Sequence, residues 1–345
     1  MKTPLTPLDL VRRGLKVYPD RVAVIQPGGR QFTYREWGER IYRLARAVAA
    51  AGYAGRHVGV LSPNTHTGLL CYAGVPWAGS VLVPLNTRLT PHEYAFQLRH
   101  AEVALLLVDA SLHDRVAEVA AELGTEVWVM GAGEAGAAFE ARLAEQDDSP
   151  LPIPVQDENQ TITINFTSGT TSDPKGVMLT HRNTLLNAAQ TVYYLKLDQD
   201  SVYLHTLPDF HVNGWGGVWA FQGVGAANVM LPAVRGDAVY AAIERHGVTH
   251  LCAAPTVLSL LTDPAVARPV SPPVRVATAG SPPHARIIAD MDRLGFEVLL
   301  RSQCHVALYR PAFLKQQTGL VKHRNKLGEH LGRGQRRGCR GPALP

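Results

Sequence analysis

Residues 162–183 read ITINFTSGTTSDPKGVMLTHRN, and this stretch decides how the rest of the chain is interpreted. Its first five residues, ITINF, alternate apolar and polar side chains, which is the period of a β-strand. The small and polar residues that follow cannot continue the strand, so a loop is predicted there. The sequence therefore predicts a strand that ends in a polar loop, and this loop carries one lysine, Lys175.

The chemistry of this loop suits phosphate oxygens. Gly169 makes backbone N–H groups approachable, and Lys175 supplies a fixed cation among many hydroxyl groups. A Walker loop is excluded, because Pro174 precedes the lysine and Gly176 follows it. We therefore predict a phosphate-binding loop of another class. Its hydroxyl residues are Thr167, Ser168, Thr170, Thr171 and Ser172.

The run TSGTTSDPKG resembles the signature loop of the adenylate-forming superfamily, which includes acyl-CoA synthetases, luciferases and peptide-synthetase adenylation domains. Ser172 stands where glycine is more usual, a small-for-small replacement. The resemblance implies an enzyme that uses ATP and Mg2+ to turn a carboxylate into an acyl-adenylate, and then passes the acyl group to a thiol, typically that of CoA. The ATP phosphates would be held by Thr167, Ser168, Gly169, Thr170, Thr171 and Lys175.

A second motif, PDFHVNGWG, spans residues 208–216 and places an imidazole, an amide and an indole beside glycines. Such a cluster is typical of a pocket wall. In the acyl-CoA synthetases that the chain resembles, a histidine in this setting lies beside the carboxylate and the α-phosphate, so His211 is the candidate catalytic residue. The resemblance also implies that the acyl or pantetheine path is lined by Val212, Asn213, Gly214 and Trp215.

The third motif, ATAGSPP, spans residues 277–283 and closes a predicted strand with small side chains, which let a flat ring approach the backbone. The resemblance implies that Gly280, Ser281 and Pro282 contact adenine. A further apolar segment, VTHLCAAPTVLSLL at 248–261, is interpreted as a strand, a proline turn and a helix of the core.

The first third of the chain predicts an α/β architecture. Thr33 with Glu36 and Thr90 with Glu93 have the spacing of capping boxes, so helices are expected to begin after each threonine. Short apolar runs near 58–61, 81–83, 105–108 and 127–130 are predicted strands. The resemblance implies the large N-terminal domain of the adenylate-forming fold, in which stacked β-sheets are flanked by helices, without the mobile C-terminal domain.

Composition bounds the class of protein. A chain of 345 residues with 46% hydrophobic content can bury a large core. No apolar run approaches the roughly 20 residues that span a bilayer, and no signal peptide is recognisable, so a cytoplasmic protein without a transmembrane segment is predicted. The four cysteines lack paired spacing and are expected to be buried thiols. Residues 131–160 turn to Gly, Ala, acidic and then Pro-rich sequence and are predicted to form a surface connection.

The net charge of +5 is unevenly distributed. Residues 299–345 hold ten Lys or Arg and one acid, Glu329, whereas residues 1–298 hold 24 basic and 28 acidic residues. We therefore predict a partial AMP-binding domain over 1–298 and a basic, disordered tail over 299–345 that does not resemble the family, as in a truncated or frameshifted gene. The carboxylate that holds Mg2+ in the family, its ribose-binding Asp and its C-terminal Lys have no counterpart, and no metal ligand is assigned. Little acyl-adenylate and no acyl-CoA are expected from this chain alone.

Several alternatives remain open at this stage. A fatty acid is the expected substrate from the resemblance of the second motif and of residues 74–90, whereas aryl acids and short sulfur-containing acids are not excluded. An amino acid would need an acidic partner for its α-amine, for which Asp209 is the local candidate. The competing class is a noncatalytic nucleotide-binding remnant with a basic arm. A nucleic-acid partner is not expected, because the tail has only Tyr309 and Phe313 to stack on bases.

Overall fold

The computed structural model describes residues 3–26, 28–131, 133–167, 174–280, 283–301 and 306–308. In these residues the strands form two sheets, one of eight strands and one of six, with helices against them. The mixed α/β architecture confirms the predicted fold class. None of the helices in these ranges is both long and apolar enough to cross a bilayer.

The elements fall in the following order. The strands are β1 (Val22–Ile25), β2 (Gln31–Thr33), β3 (His57–Leu61), β4 (Val81–Pro84), β5 (Val103–Asp109), β6 (Glu126–Met130), β7 (Thr161–Phe166), β8 (Gly176–Thr180), β9 (Val202–Leu204), β10 (Ala227–Val229), β11 (His250–Ala253), β12 (Val274–Ala279), β13 (Phe296–Arg301) and β14 (Val306–Leu308). The helices are α1 (Leu8–Val17), α2 (Tyr34–Ala50), α3 (His66–Trp77), α4 (Pro91–His100), α5 (Ala117–Leu123), α6 (Ala137–Ala144), α7 (His181–Leu195), α8 (Val212–Trp215, a single turn), α9 (Gly217–Val224), α10 (Gly236–His246), α11 (Pro255–Leu261) and α12 (Ala285–Arg293).

Both predicted capping boxes are confirmed. The Thr33 side chain accepts a hydrogen bond from the Glu36 N–H, and the Glu36 carboxylate accepts one from the Thr33 N–H at 2.7 Å. Thr90 and Glu93 repeat the arrangement at the start of α4, with Pro91 in the first turn. Each box satisfies backbone donors that a helix start leaves open, which fixes where α2 and α4 begin.

The six-stranded sheet has the order β6-β5-β3-β4-β7-β8. Its strands are parallel except for β8, which pairs antiparallel with β7. The predicted phosphate loop therefore lies at the tip of an edge hairpin. Strand β7 itself is buried on both faces, since Ile162 and Thr163 are both inaccessible to solvent, as expected for a strand inside a covered parallel sheet.

The eight-stranded sheet has the order β14-β13-β12-β11-β9-β10-β1-β2. Strands β9, β11 and β12 are parallel neighbours, so their carboxyl ends share one edge. In open parallel sheets this edge is where ligands bind. The second motif follows β9 and the third follows β12, which brings both to the same edge.

A helical layer fills the space between the sheets. The indole of Trp37 on α2 donates to the Gln222 amide oxygen of α9 at 2.9 Å, and Trp219 donates to the Tyr72 carbonyl of α3 at 3.1 Å. Both tryptophans are almost fully buried. Because each buried N–H has a partner, the large rings contribute packing without an unsatisfied donor. Cys71 and Cys252 are buried, as predicted, and Cys304 and Cys339 lie outside the described residues.

The predicted surface connection at 131–160 contains helix α6, which buries Phe139 and Leu143, and most of its other described residues are exposed. The predicted domain limit at about 298 falls inside β13, which pairs with β12 as far as Arg301. The domain limits stay a prediction. Most of the predicted tail lies outside the described residues.

Two histidines, the half-buried His66 and the buried His181, predict a pH-dependent stability. Burial lowers the pKa of His66 to about 4, with a contribution from Arg40, and burial lowers the pKa of His181 to about 4 as well. The unfolded chain takes up these protons near pH 6.5, whereas the folded chain does not until about pH 4. Because the unfolded state binds more protons in this window, stability falls as the pH falls through it.

We therefore expect a lower urea midpoint at pH 5.5 than at pH 7.5, measured by tryptophan fluorescence. In the double variant His66→Gln/His181→Gln, the difference between the urea midpoints at the two pH values should be smaller. The His181 ring nitrogen bonds the Thr6 hydroxyl at 2.9 Å, so glutamine is chosen to keep a polar partner. Equal midpoints at the two pH values in the unchanged chain would contradict the assignment.

Candidate active site

The base of the phosphate hairpin is well defined. Strand residues Phe166 and Gly176 pair across β7 and β8, and the Thr167 N–H donates to the Lys175 carbonyl at 3.0 Å. Thr167 and Lys175 therefore face each other where the loop leaves the sheet. Lys175 is exposed at this position. Ser168, Gly169, Thr170 and Thr171, also predicted to hold phosphate, lie outside the described residues.

The second motif forms an unusual left-handed turn. Residues 212–216 all have positive φ angles, from +45° at Val212 to +81° at Gly216. A β-branched residue such as Val212 adopts this conformation only under strain, on the order of 1–2 kcal/mol. Strain of this kind persists where surrounding contacts hold it, which is common at functional sites. His211 immediately precedes this turn.

Asn165 ties the hairpin strand to that turn. Its side-chain amide donates to the Phe210 carbonyl and to the Asn213 side-chain oxygen, each at 3.2 Å. Its oxygen accepts from the Thr163 hydroxyl at 3.2 Å. Asn165 is one residue before the end of β7, so the phosphate loop and the His211 segment are positioned by the same side chain.

A second amide, Asn64, holds the segment between β9 and His211. Its side-chain N–H groups donate to the His205 and Leu207 carbonyls, each at 2.8 Å, and its oxygen accepts from the Asp209 N–H at 3.0 Å. Asn64 lies just before α3 in the other half of the fold. The His211 segment is thus fixed from both sheets.

Beneath this segment lies a buried histidine–carboxylate pair. His205 is fully buried, with Nδ1 at 2.8 Å from the Asp209 Oδ1 and Nε2 at 3.1 Å from the Asn228 Oδ1. The Asn228 amide N–H groups donate to the Ala23 and Ala226 carbonyls, so its oxygen accepts from His205. Asp209 is buried, its Oδ1 is bonded to His205, and it is not among the residues that line the cleft described below, which argues against an amino-acid substrate.

A cleft of about 620 Å³ opens between the hairpin and the His211 turn. This volume is within the range of sites for small ligands. His211, Val212 and Thr167 are among the residues that line it. Helix α4 forms the wall opposite His211, with Phe96 and Gln97 on its cleft side. The structure therefore brings the first and second motifs to one cavity.

His211 is exposed at this cleft, and its partial burial lowers its pKa below the usual 6.5. Its imidazole is therefore neutral at pH 7. A neutral ring offers one N–H donor and one nitrogen acceptor, which suits orienting a carboxylate or a phosphate oxygen without forming a permanent ion pair. The Pro208 carbonyl accepts from the His211 N–H at 3.0 Å, which fixes the backbone below the ring.

Not every predicted site residue reaches the cleft. Asn213 and Gly214 are buried, and Asn213 points toward Asn165 instead. Trp215 packs against the main core. Of the four residues predicted to line the acyl path, only Val212 lines this cleft.

The third motif lies at the carboxyl edge of the eight-stranded sheet. Gly280 follows β12 with a φ of +93°, and an added Cβ would have no neighbour within 4 Å. The backbone here is open to a flat ligand, but a side chain would be conformationally disfavoured. Gly280 is not among the residues that line the cleft. Ser281 and Pro282 lie outside the described residues.

Sequence reasoning missed Asn64, Asn165 and Gln97. Asn165 was visible as a polar residue in a predicted strand, but its partners at 210 and 213 are distant in sequence. Asn64 contacts residues more than 140 positions away. A buried amide in an otherwise apolar element is the only local signal, and it does not name the partner.

The described residues of the cleft do not form a Mg2+ site. The carboxylate on its wall is that of Glu93, which accepts hydrogen bonds from the Thr90 N–H and hydroxyl, each at 2.8 Å. Across the described ranges, no group of three or more His, Cys, Asp or Glu side chains is arranged to hold a metal ion.

Comparison with known proteins gives the family. The profile of the AMP-binding enzymes matches residues 11–301. The chain belongs to this family. The match ends at the last residue of β13.

Curated relatives of this family member include CoA ligases. A peroxisomal benzoate–CoA ligase of Arabidopsis thaliana is 35% identical over 317 residues, covering 86% of this chain and 54% of the relative. A peroxisomal trans-cinnamate:CoA ligase of Petunia hybrida is 33% identical over 323 residues, covering 86% and 56%. The chain thus spans little more than half the length of these relatives.

Solved structures agree on the fold. The N-terminal domain of FACL13 from Mycobacterium tuberculosis superposes with a TM-score of 0.74 at 24% identity, covering 88% of this chain and 76% of that domain. Such a likeness supports the fold of an adenylate-forming N-terminal domain, as predicted.

Proposed function

We propose that this chain carries the nucleotide and acyl site of an AMP-forming acid–thiol ligase. Such an enzyme joins a carboxylate to the α-phosphorus of ATP, with loss of pyrophosphate, and then transfers the acyl group from AMP to the thiol of CoA. The observation that carries the proposal is the contact of Asn165 with the His211 segment, because it positions the phosphate hairpin and the His211 turn on one cleft.

The roles follow from position and chemistry. Lys175 and the loop from Thr167 to Thr171 would bind the ATP phosphates as charged and hydroxyl partners. Neutral His211 would orient the carboxylate toward the α-phosphate, and Val212 would contact the acyl group. Gly280, with Ser281 and Pro282, would receive adenine at the edge of the neighbouring sheet. Mg2+ would supply charge neutralisation on the phosphates when bound.

The acid is proposed to be an aryl or arylpropenoic acid. Benzoate and cinnamate appear in the names of relatives that are 35% and 33% identical to this chain, and the cleft has Phe96, Phe166 and Phe210 on its walls. A fatty acid, which the second motif favours, is the competing class. The cytoplasmic location stays a prediction, and both of these relatives are named as peroxisomal.

The test uses acyl-sulfamoyl-adenosines, stable analogues of the acyl-adenylate, titrated into the purified chain by calorimetry. The benzoyl and cinnamoyl analogues should each bind at least about tenfold more tightly than AMP. They should also bind more tightly than the octanoyl analogue. The His211→Ala variant should lose this preference for the aryl analogues. The control variant His246→Ala, which changes the last residue of α10, should keep it. Equal binding of AMP and all analogues, or no binding, would refute the proposed function. Tighter octanoyl binding would select the fatty-acid class.

A further inference from the structure

Gln97 is a buried amide on the wall of the cleft. It lies on α4, is only 4% exposed, and lines the cleft together with its neighbours Glu93 and Phe96. The other buried residues of this helix, Tyr94 and Leu98, face the hydrophobic cluster behind it. Gln97 is therefore the polar member of the buried set on α4, and it is the one that faces the ligand side.

The Gln97 oxygen has no hydrogen-bond partner among the described residues. The nearest polar neighbour on the helix, Glu93, is an acceptor whose carboxylate is held in the capping box by Thr90. A buried acceptor without a donor is destabilising, and native proteins leave few of them unsatisfied. A donor supplied by a bound molecule would resolve this deficit.

The surroundings restrict what that molecule can be. Phe96 stacks on His100 with ring centroids 5.3 Å apart, and His100 meets Phe166 edge-on at 6.0 Å. Leu89, Val177 and Leu179 add further apolar surface to the cleft. An arm that fits here is mostly apolar and carries an N–H or O–H group at the level of Gln97.

We propose that Gln97 is a specificity-determining residue, which accepts a hydrogen bond from an N–H or O–H donor on the ligand arm in this cleft. The inference rests on the proposed function, because it assigns the arm to a substrate of the ligase. Two substrates offer that chemistry. The pantetheine arm of CoA carries amide N–H groups, and a hydroxylated acid carries an O–H group.

The experiment compares the unchanged chain with Gln97→Leu and Gln97→Met, two acceptor-free variants of different shape. Three probes are titrated by calorimetry: pantetheine, hydroxybenzoyl-sulfamoyl-adenosine and benzoyl-sulfamoyl-adenosine. Both variants should lose about tenfold in affinity for a donor-bearing probe and keep their affinity for ATP and for the benzoyl analogue. If the variants bind pantetheine more weakly than the unchanged chain does, the arm belongs to CoA. If they bind the hydroxybenzoyl analogue more weakly, the arm belongs to the acid.

Gln222→Leu provides the matched control. Gln222 is another buried glutamine, but its side-chain oxygen accepts a hydrogen bond from the Trp37 indole, and it does not line the cleft. Its replacement should lower the melting temperature and leave probe affinities unchanged, whereas the Gln97 variants should raise the melting temperature because they remove an unsatisfied acceptor. If ATP binds and neither donor-bearing probe loses affinity in the Gln97 variants, the inference is overturned alone. If the unchanged chain binds neither ATP nor any probe, the proposed function and the inference fail together.

Discussion

Replacing Asp209 by alanine is expected to lower the free energy of unfolding by about 1–3 kcal/mol, the usual effect of leaving a buried polar group without its hydrogen-bond partner. Asp209 is 5% exposed, and its Oδ1 lies 2.8 Å from the Nδ1 of the fully buried His205. The other ring nitrogen, Nε2, donates to the Asn228 oxygen. Removal of Asp209 therefore leaves the Nδ1 of a buried imidazole without a partner.

The measurement is urea unfolding followed by tryptophan fluorescence. Asp237→Ala is the matched control, since Asp237 pairs with Arg235 on the surface and its loss should change stability little. The loss of unfolding free energy in Asp209→Asn should lie between the losses in Asp209→Ala and Asp237→Ala, because an amide can still form a hydrogen bond with the His205 ring. A loss in Asp209→Ala no greater than that in Asp237→Ala would contradict a stabilising role of the buried pair.

Local chemistry in the sequence was enough to predict much of the fold. The capping boxes at Thr33 and Thr90 are complete within four residues, so they could be predicted without tertiary information. The strand at 161–166 and the loop after it follow from alternation and from breaker residues. The partner of Asp209 could not be predicted in this way, because it is set by the path of the chain after β9.

What the sequence could not give depends on contacts between distant segments. Asn64 reaches residues 205–209 because the loop before α3 lies against the segment that follows β9. The left-handed backbone at Val212 runs against the preference of a β-branched residue, so propensity predicts the opposite. Helix α6 was not predicted either, because its apolar face is short and the surrounding sequence is rich in Gly and Ala.

The second large effect is expected at the phosphate hairpin. Lys175 is an exposed cation at the base of the loop, directly across from Thr167. A charge-assisted hydrogen bond to a phosphate contributes on the order of 1.5–3 kcal/mol. The Lys175→Ala variant should therefore bind ATP about 10- to 100-fold more weakly. Lys16→Ala, which removes an exposed lysine from α1, should bind ATP as the unchanged chain does.

Titration of ATP into the unchanged chain, Lys175→Ala and Lys16→Ala tests most directly whether this hairpin is a nucleotide site. We expect saturable binding of one ATP per chain, weakened by at least tenfold in Lys175→Ala and unaltered in Lys16→Ala. Equal affinity in all three proteins would place the nucleotide elsewhere and would contradict the role assigned to the loop.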